Sequence, residues 1–113
     1  MKLIIAYIRP EVLPDVKQAL YAKEIYKMSI QPSLGCGQQA GYVEHYRGIV
    51  NEVNLHKKTR MAIAVNDDFV EACVECIVKG ARTGKIGDGK IFVLPIDECI
   101  RIRTGERGPA AIG

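Results

Sequence analysis

Two stretches of this chain repeat one pattern, and a chain of this length has few ways to fold around it. Residues 2–8 and 59–65 are short apolar runs, and each leads within a few residues into a helical period. In the first unit Val12, Leu13, Val16, Ala19 and Leu20 fall at helical spacing, which predicts a helix to about residue 23. Pro14 fits its first turn, where the missing N–H costs nothing. In the second unit Asn66, Asp67 and Asp68 supply a cap and a negative first turn. Phe69, Val70, Cys73, Val74, Ile77 and Val78 then form one apolar face, ended by Gly80 and Gly84. Residues 25–34 read as extended, with Pro32 marking a strand end or an edge, and residues 90–95 as another strand. Ile100 and Ile102, alternating with Arg101 and Arg103, predict a final short strand. The order strand, helix, strand, loop, strand, helix, strand is a duplicated β-α-β unit, an α+β fold of the ferredoxin-like split kind. Its helices would cover one sheet face; oligomerisation is the simplest way to bury the other.

The 113 residues make a single domain, 1–113. Between the two units, the segment from Gly35 to about His56 carries glycines at 35, 37, 41 and 48 and shows neither a helical nor a strand period, so it reads as a long functional loop. Net charge is only +3 with the basic residues spread along the chain, which argues against nucleic-acid binding. No apolar run is long enough to span a membrane, and the one at the N-terminus is too short for a signal peptide. A cytoplasmic protein is therefore expected, with Cys36, Cys73, Cys76 and Cys99 reduced. Cys73-Val74-Glu75-Cys76 has redox or zinc spacing, but it sits mid-helix and Cys36, Cys99, His45 and His56 form no second half. It reads as small buried residues on a helix face.

The sharpest local signal is Thr83-Gly84-Lys85-Ile86-Gly87-Asp88-Gly89-Lys90-Ile91. Its glycines let backbone N–H groups turn into a concave anion site, and Lys90 adds a point charge suited to phosphate. A nucleotide-binding P-loop it is not: Ile91 stands where Ser or Thr would hold magnesium, and the segment runs from helix to strand. A helix end followed by a tight turn is the competing explanation. Arg101 and Arg103, two apart on an expected strand, would face one way and call for an anion between them. Together with the glycine loop they tip the balance towards polyphosphate. No nucleophile–base grouping and no assignable general base are evident, so a binding protein is expected, with weak ATPase activity as the alternative.

The run from Thr83 to Val93 resembles, residue for residue, the C-terminal signature of the PII nitrogen-regulatory signal-transduction proteins. Ile100–Glu106 is similar to that family's tail, Tyr46-Arg47-Gly48 to part of its long T-loop, and Ile8-Arg9-Pro10 to its first strand exit. The resemblance implies a homotrimer with a T-loop at about 37–56, a phosphate-binding loop at about 82–90 and a C-terminal segment at about 97–113. It implies ATP or ADP competing for clefts between subunits, Mg²⁺ and 2-oxoglutarate joining ATP, and a protein target met through the T-loop: an ammonium channel, a metabolic enzyme or a regulator. Carried over by position, Gly87, Asp88, Gly89, Lys90, Arg101 and Arg103 lie on the phosphate side. Lys27, Met28, Ser29 and Ala64 surround ribose and adenine, Ser29 keeping the hydroxyl of the usual Thr. Gly35 and Gly37 also match nucleotide positions. Gln39 matches the family's magnesium ligand, and Arg9 and Lys58 match positions near the carboxylates of 2-oxoglutarate. Tyr46, Arg47 and Asn51 fall on the target-binding loop.

The departures from the family pattern cluster in that loop. Asn51 stands where the uridylylated tyrosine is usual, and Ile49 where some relatives carry a phosphorylated serine. Ala40 replaces a common lysine and Ala62 a common acidic residue, which leaves a sensor of adenylates alone, with a specialised target, as the alternative. A carboxamide has no phenolic oxygen to accept a nucleotidyl group. Incubation with a family uridylyltransferase should therefore leave the intact mass unchanged at residue 51; an adduct mapped to Tyr46 would mean that the modified position has moved.

Overall fold

The computed structural model of the chain describes residues 1–35 and 55–113 with their side chains, and residues 42–46 and 49–53 as backbone. Strand β1 (Lys2–Ile8) leads through a 3-10 turn, Pro10–Val12, into helix α1 (Leu13–Ala22). Pro14 stands in the first turn of α1, as its fixed φ favours. Strand β2 (Ser29–Gly35) follows, then β3 (Tyr42–Tyr46), β4 (Ile49–Val53) and the long β5 (His56–Val65). A second 3-10 turn, Asp67–Phe69, opens helix α2 (Val70–Ala81), and strand β6 (Lys90–Pro95) and the one-turn helix α3 (Pro109–Ile112) complete the chain.

The main sheet has the order β2-β5-β1-β6 with every neighbouring pair antiparallel, which is the ferredoxin-like arrangement. Period-two alternation sends Ile4, Ala6 and Ile8 of β1 and Met61, Ile63 and Val65 of β5 to one face, where all are buried. Val16 and Leu20 of α1 and Cys73 and Ile77 of α2 close the core over them. The C-x-x-C pair is therefore core packing: both thiols are buried, and Cys76 Sγ donates to the Ala19 carbonyl at 3.3 Å. Neither α1 nor α2 covers the other sheet face. Register places Ile5 opposite both Ala62 and Phe92, and Leu3 opposite Ala64 and Leu94, so the uncovered face is apolar at its centre. Tyr7 meets Phe92 edge-on there, ring centroids 6.3 Å apart, and Phe92 remains 49% exposed.

Several sequence expectations are revised. The segment expected as a loop contains the antiparallel pair β3–β4, Tyr42 opposite Val53 and Tyr46 opposite Ile49. The extended stretch expected from residue 25 begins at Ser29, because Ile25 drops into the core after Glu24 turns the chain at φ 60°. Asn66 opens the turn before α2 with its carbonyl, which accepts from Phe69 N at 2.9 Å, but its side chain does not cap. Its Nδ2 donates to the Pro109 carbonyl instead, at 3.1 Å. Residues 100–106 form a turn, not a strand. Gly105 N donates to the Arg101 carbonyl at 2.7 Å, Arg101 N to that of Glu106 at 2.9 Å, and a single bridge joins Ile100 to Arg107. Gly105 and Gly108, both at positive φ, permit that reversal.

Gly80 is the penultimate residue of α2, and packing explains why it is glycine. A Cβ there would lie 2.8 Å from the Val16 backbone, so the absence of a side chain sets how closely the two helices approach. Gly80→Ala would ordinarily favour a helix. Here it should lower stability by about 1–3 kcal/mol by prying α1 from α2, measured as a lower urea midpoint with an unchanged slope. A rise in midpoint would contradict the close approach.

Candidate functional site

The glycine loop between α2 and β6 is built from its own residues first. The chain leaves α2 at Arg82, and Gly84, Gly87 and Gly89 all take positive φ, at 86°, 103° and 99°. Gly89 has a second reason to be glycine, since an added methyl would fall on the Tyr7 carbonyl of the adjacent strand. The Asp88 carboxylate turns back into the loop. Its Oδ2 accepts from Thr83 N and Gly84 N, each at 2.8 Å, and its Oδ1 accepts from the Thr83 hydroxyl. Thr83 Oγ1 accepts in turn from Lys85 N at 3.2 Å. One carboxylate thus satisfies two backbone donors of the loop that follows α2. The Thr83 hydroxyl foremost, with the Thr83 and Gly84 N–H groups and Arg9, holds the Asp88 carboxyl well below the usual carboxylate range.

Two cations from other elements fasten the loop to the sheet. Arg9, just past the end of β1, donates from Nε to Asp88 Oδ1 at 3.2 Å and from Nη2 to the Ile86 carbonyl at 2.6 Å. Lys58, near the start of β5, donates from Nζ to the Gly87 carbonyl at 2.6 Å. Burial first, and the Arg9 guanidinium second, pull the Lys58 pKa down. Gly35, at the end of β2, belongs to the same corner: a Cβ on it would touch Lys58 Cγ at 3.4 Å. Lys90 opens β6 opposite Tyr7 and is exposed. A cleft of about 380 Å³ adjoins the loop, with Asp88, Gly89 and Lys90 on one side and Val74, Ile77 and Ala81 of α2 on the other. Arg9, Gly35, Lys58 and Gly87 to Lys90, which lie far apart in sequence, therefore share one corner.

The remaining expected positions gather at the opposite end of the sheet. Lys27 and Ala64 line a second cleft, of about 260 Å³, with Ile25, Asn66, Phe69 and Ile112. Lys27 Nζ donates to the Gly113 carbonyl at 2.9 Å, and Arg101 donates to the same oxygen at 2.8 Å, to the Ala110 carbonyl at 3.0 Å and to Glu106 Oε1 at 2.8 Å. Met28 packs against the core, and Ser29 starts β2 opposite Ala62. Arg103 is exposed in the turn after Arg101, so the pair does not share a strand face. Six strand steps separate Lys58 from Ala64, so the two groups are about 20 Å apart within one chain. Gly37, Gln39 and Arg47 lie outside the described residues, as do the side chains of Tyr46 and Asn51. Among the described residues no cluster of His, Cys, Asp or Glu could hold a metal ion, and no helix is long and apolar enough to cross a membrane.

Two roles escaped the sequence: the hydrogen bonds of Thr83 to Asp88, for which their spacing of five was the available signal, and the pairing of Glu106 with Arg101.

The family profile for nitrogen regulatory protein P-II matches residues 1–106. The chain is 50% identical over 112 residues to nitrogen regulatory protein P-II 2 of Methanothermobacter thermautotrophicus, covering 99% of this chain and 97% of that one. It is 47% identical over 114 residues to nitrogen regulatory protein GlnK1 of Methanosarcina mazei, covering 99% and 97%. It is also 47% identical over 112 residues to nitrogen regulatory protein P-II 1 of Escherichia coli K12, covering 99% and 100%.

The depressed Asp88 pKa has a definite sign. A carboxyl whose folded pKa lies below its unfolded value contributes its stability fully above the unfolded value and loses it as pH falls through the folded one. Asp88→Asn should therefore be less stable than the parent at neutral pH. The gap in urea midpoints should narrow only below about pH 4, the ordinary carboxylate value. A gap that persists undiminished into stronger acid would mean that Asp88 is not the charged staple of the loop.

Proposed function

The chain belongs to the P-II family of nitrogen regulatory proteins, and from that premise we propose that it is a non-catalytic adenylate sensor working as a homotrimer in the cytoplasm. ATP and ADP compete for one cleft per subunit, lined by Gly87–Lys90 of one chain and by Arg101 and Arg103 of its neighbour. The observation that carries this is the division of the expected nucleotide residues between two corners about 20 Å apart on β5. A single chain cannot close both around one phosphate chain. A neighbour that presents its opposite corner can. The uncovered apolar sheet face around Ile5, Ala62 and Phe92 supports the same assembly, because burying it against a second copy removes apolar surface from water.

The phosphate loop suits its role by being held before the ligand arrives. With Asp88, Arg9 and Lys58 fixing the backbone, the positive-φ Gly87 and Gly89 conformations are set in advance, and the ordering cost at binding falls. Lys90, exposed at the loop's exit, adds charge. Arg9 and Lys58 bring two cations to this corner, which suits a dicarboxylate, and 2-oxoglutarate is the effector assigned to it. Gln39 would supply a side-chain ligand for Mg²⁺, which would add positive charge to favour an anionic nucleotide and effector together. The response passes to a protein target through the segment of about 37–56, the target being an ammonium channel, a metabolic enzyme or a regulator of nitrogen metabolism.

Light scattering at micromolar concentration should return three chain masses. Calorimetry should find ATP and ADP competing for one site per chain. Lys90→Ala or Arg103→Ala should each weaken ATP about ten- to a hundredfold, the loss of one charged phosphate contact. A monomer that binds ATP tightly, or either variant binding like the parent, would refute this function.

A further inference from the structure

We infer that Asp88 is an internal competitor for Arg9, so that one carboxylate sets nucleotide affinity and dicarboxylate affinity in opposite directions. The inference rests on the function proposed above, in which nucleotide and dicarboxylate share the corner formed by Arg9, Lys58 and the glycine loop.

The geometry divides the work of Asp88 between its two oxygens. Oδ2 faces the loop backbone, accepting from Thr83 N and Gly84 N. Oδ1 faces outward to Arg9 Nε and also takes the Thr83 hydroxyl. The Arg9 and Asp88 side chains are 19% and 23% exposed, so the pair is partly shielded from water and a third charge placed beside it is felt. A dicarboxylate that reaches for the Arg9 guanidinium meets a carboxylate already there. It must displace Asp88 or bear its repulsion. The Asp88 side chain is equally ill-suited to touching a polyphosphate. Asp88 is thus a positioning residue: it acts on the nucleotide through the loop it closes, and on the dicarboxylate through the arginine it occupies. A purely structural staple would help both ligands. A competitor helps one at the other's expense.

Asp88→Asn separates the two roles. Its amide oxygen can replace Oδ2 and still accept from Thr83 N and Gly84 N, while its NH₂ lies where Oδ1 was and repels the Arg9 N–H. Thr83→Val is the complementary change, removing the hydroxyl from the loop while leaving the Arg9–Asp88 pair. The experiment is calorimetric titration of each full-length variant with ATP and Mg²⁺, then with 2-oxoglutarate at saturating Mg²⁺ and ATP. For Asp88→Asn, ATP affinity should fall several-fold and 2-oxoglutarate affinity should rise about tenfold, the scale of one charge-assisted contact released. For Thr83→Val, ATP affinity should fall and 2-oxoglutarate affinity should not rise.

Loss of both affinities in a folded Asp88→Asn, or an unchanged affinity for 2-oxoglutarate, overturns the competition. Where the parent takes ATP but no 2-oxoglutarate, binding that appears only in Asp88→Asn supports it, and none in either overturns it. If Asp88→Asn fails to fold, Asp88→Ser is judged by the same criteria. A parent that binds no ATP at all sinks the underlying function instead.

Discussion

Strand β1 is hydrogen-bonded along both edges, and the candidate site depends on the register this imposes. Pairing runs from Lys2 opposite Val65 to Ile8 opposite Thr59 on one side, and from Lys2 opposite Pro95 to Tyr7 opposite Lys90 on the other. Slipping either ladder by one residue would turn Ile4, Ala6 and Ile8 out of the core, so burial fixes the alignment. The same alignment delivers Arg9 to the glycine loop, sets Lys58 beside it and starts β6 where the loop ends. Chemistry at that corner is thus a by-product of core packing between strands far apart in sequence.

Much of this was legible in the sequence. Both β-α units, the ferredoxin-like class, the core face of α2 and the significance of the segment from Thr83 to Lys90 follow from hydrophobic period and glycine placement. What stayed hidden depends on tertiary contact. Gly80 looks like a helix terminator until Val16 is found against it. Asn66 looks like a cap until its amide is found on the Pro109 carbonyl. Arg101 and Arg103 look like neighbours on a strand because apolar and basic residues alternate there, but Gly105, Gly108 and the Arg101–Glu106 pair favour a reversal that alternation cannot reveal. The β3–β4 pair was missed because its residues carry no clean period of two.

The two ends of the sheet treat backbone carbonyls alike. At one, Arg9 and Lys58 donate to the carbonyls of Ile86 and Gly87. At the other, Lys27, Arg101 and Asn66 donate to those of Gly113, Ala110 and Pro109. In both places cationic or amide side chains order a segment that lacks sheet pairing of its own. Cations in this chain therefore shape backbone, which is why counting them gives a poor guide to anion sites.

The buried cysteines of α2 make the protein its own reporter of motion. Cys73 has no exposed surface, and burial, with Cys76 alongside, pushes its thiol up to about 12, so almost none of it is thiolate at neutral pH. Cys99, beyond the end of β6, is half-buried and outside the core. Among the described cysteines a thiol reagent in excess thus meets two populations on very different clocks. The slow one advances only when α1 and α2 part, because Cys76 is tethered to Ala19 across that seam and Cys73 lies beneath it. The rate of labelling at Cys73 is then a direct readout of helix separation, obtained without introducing any probe.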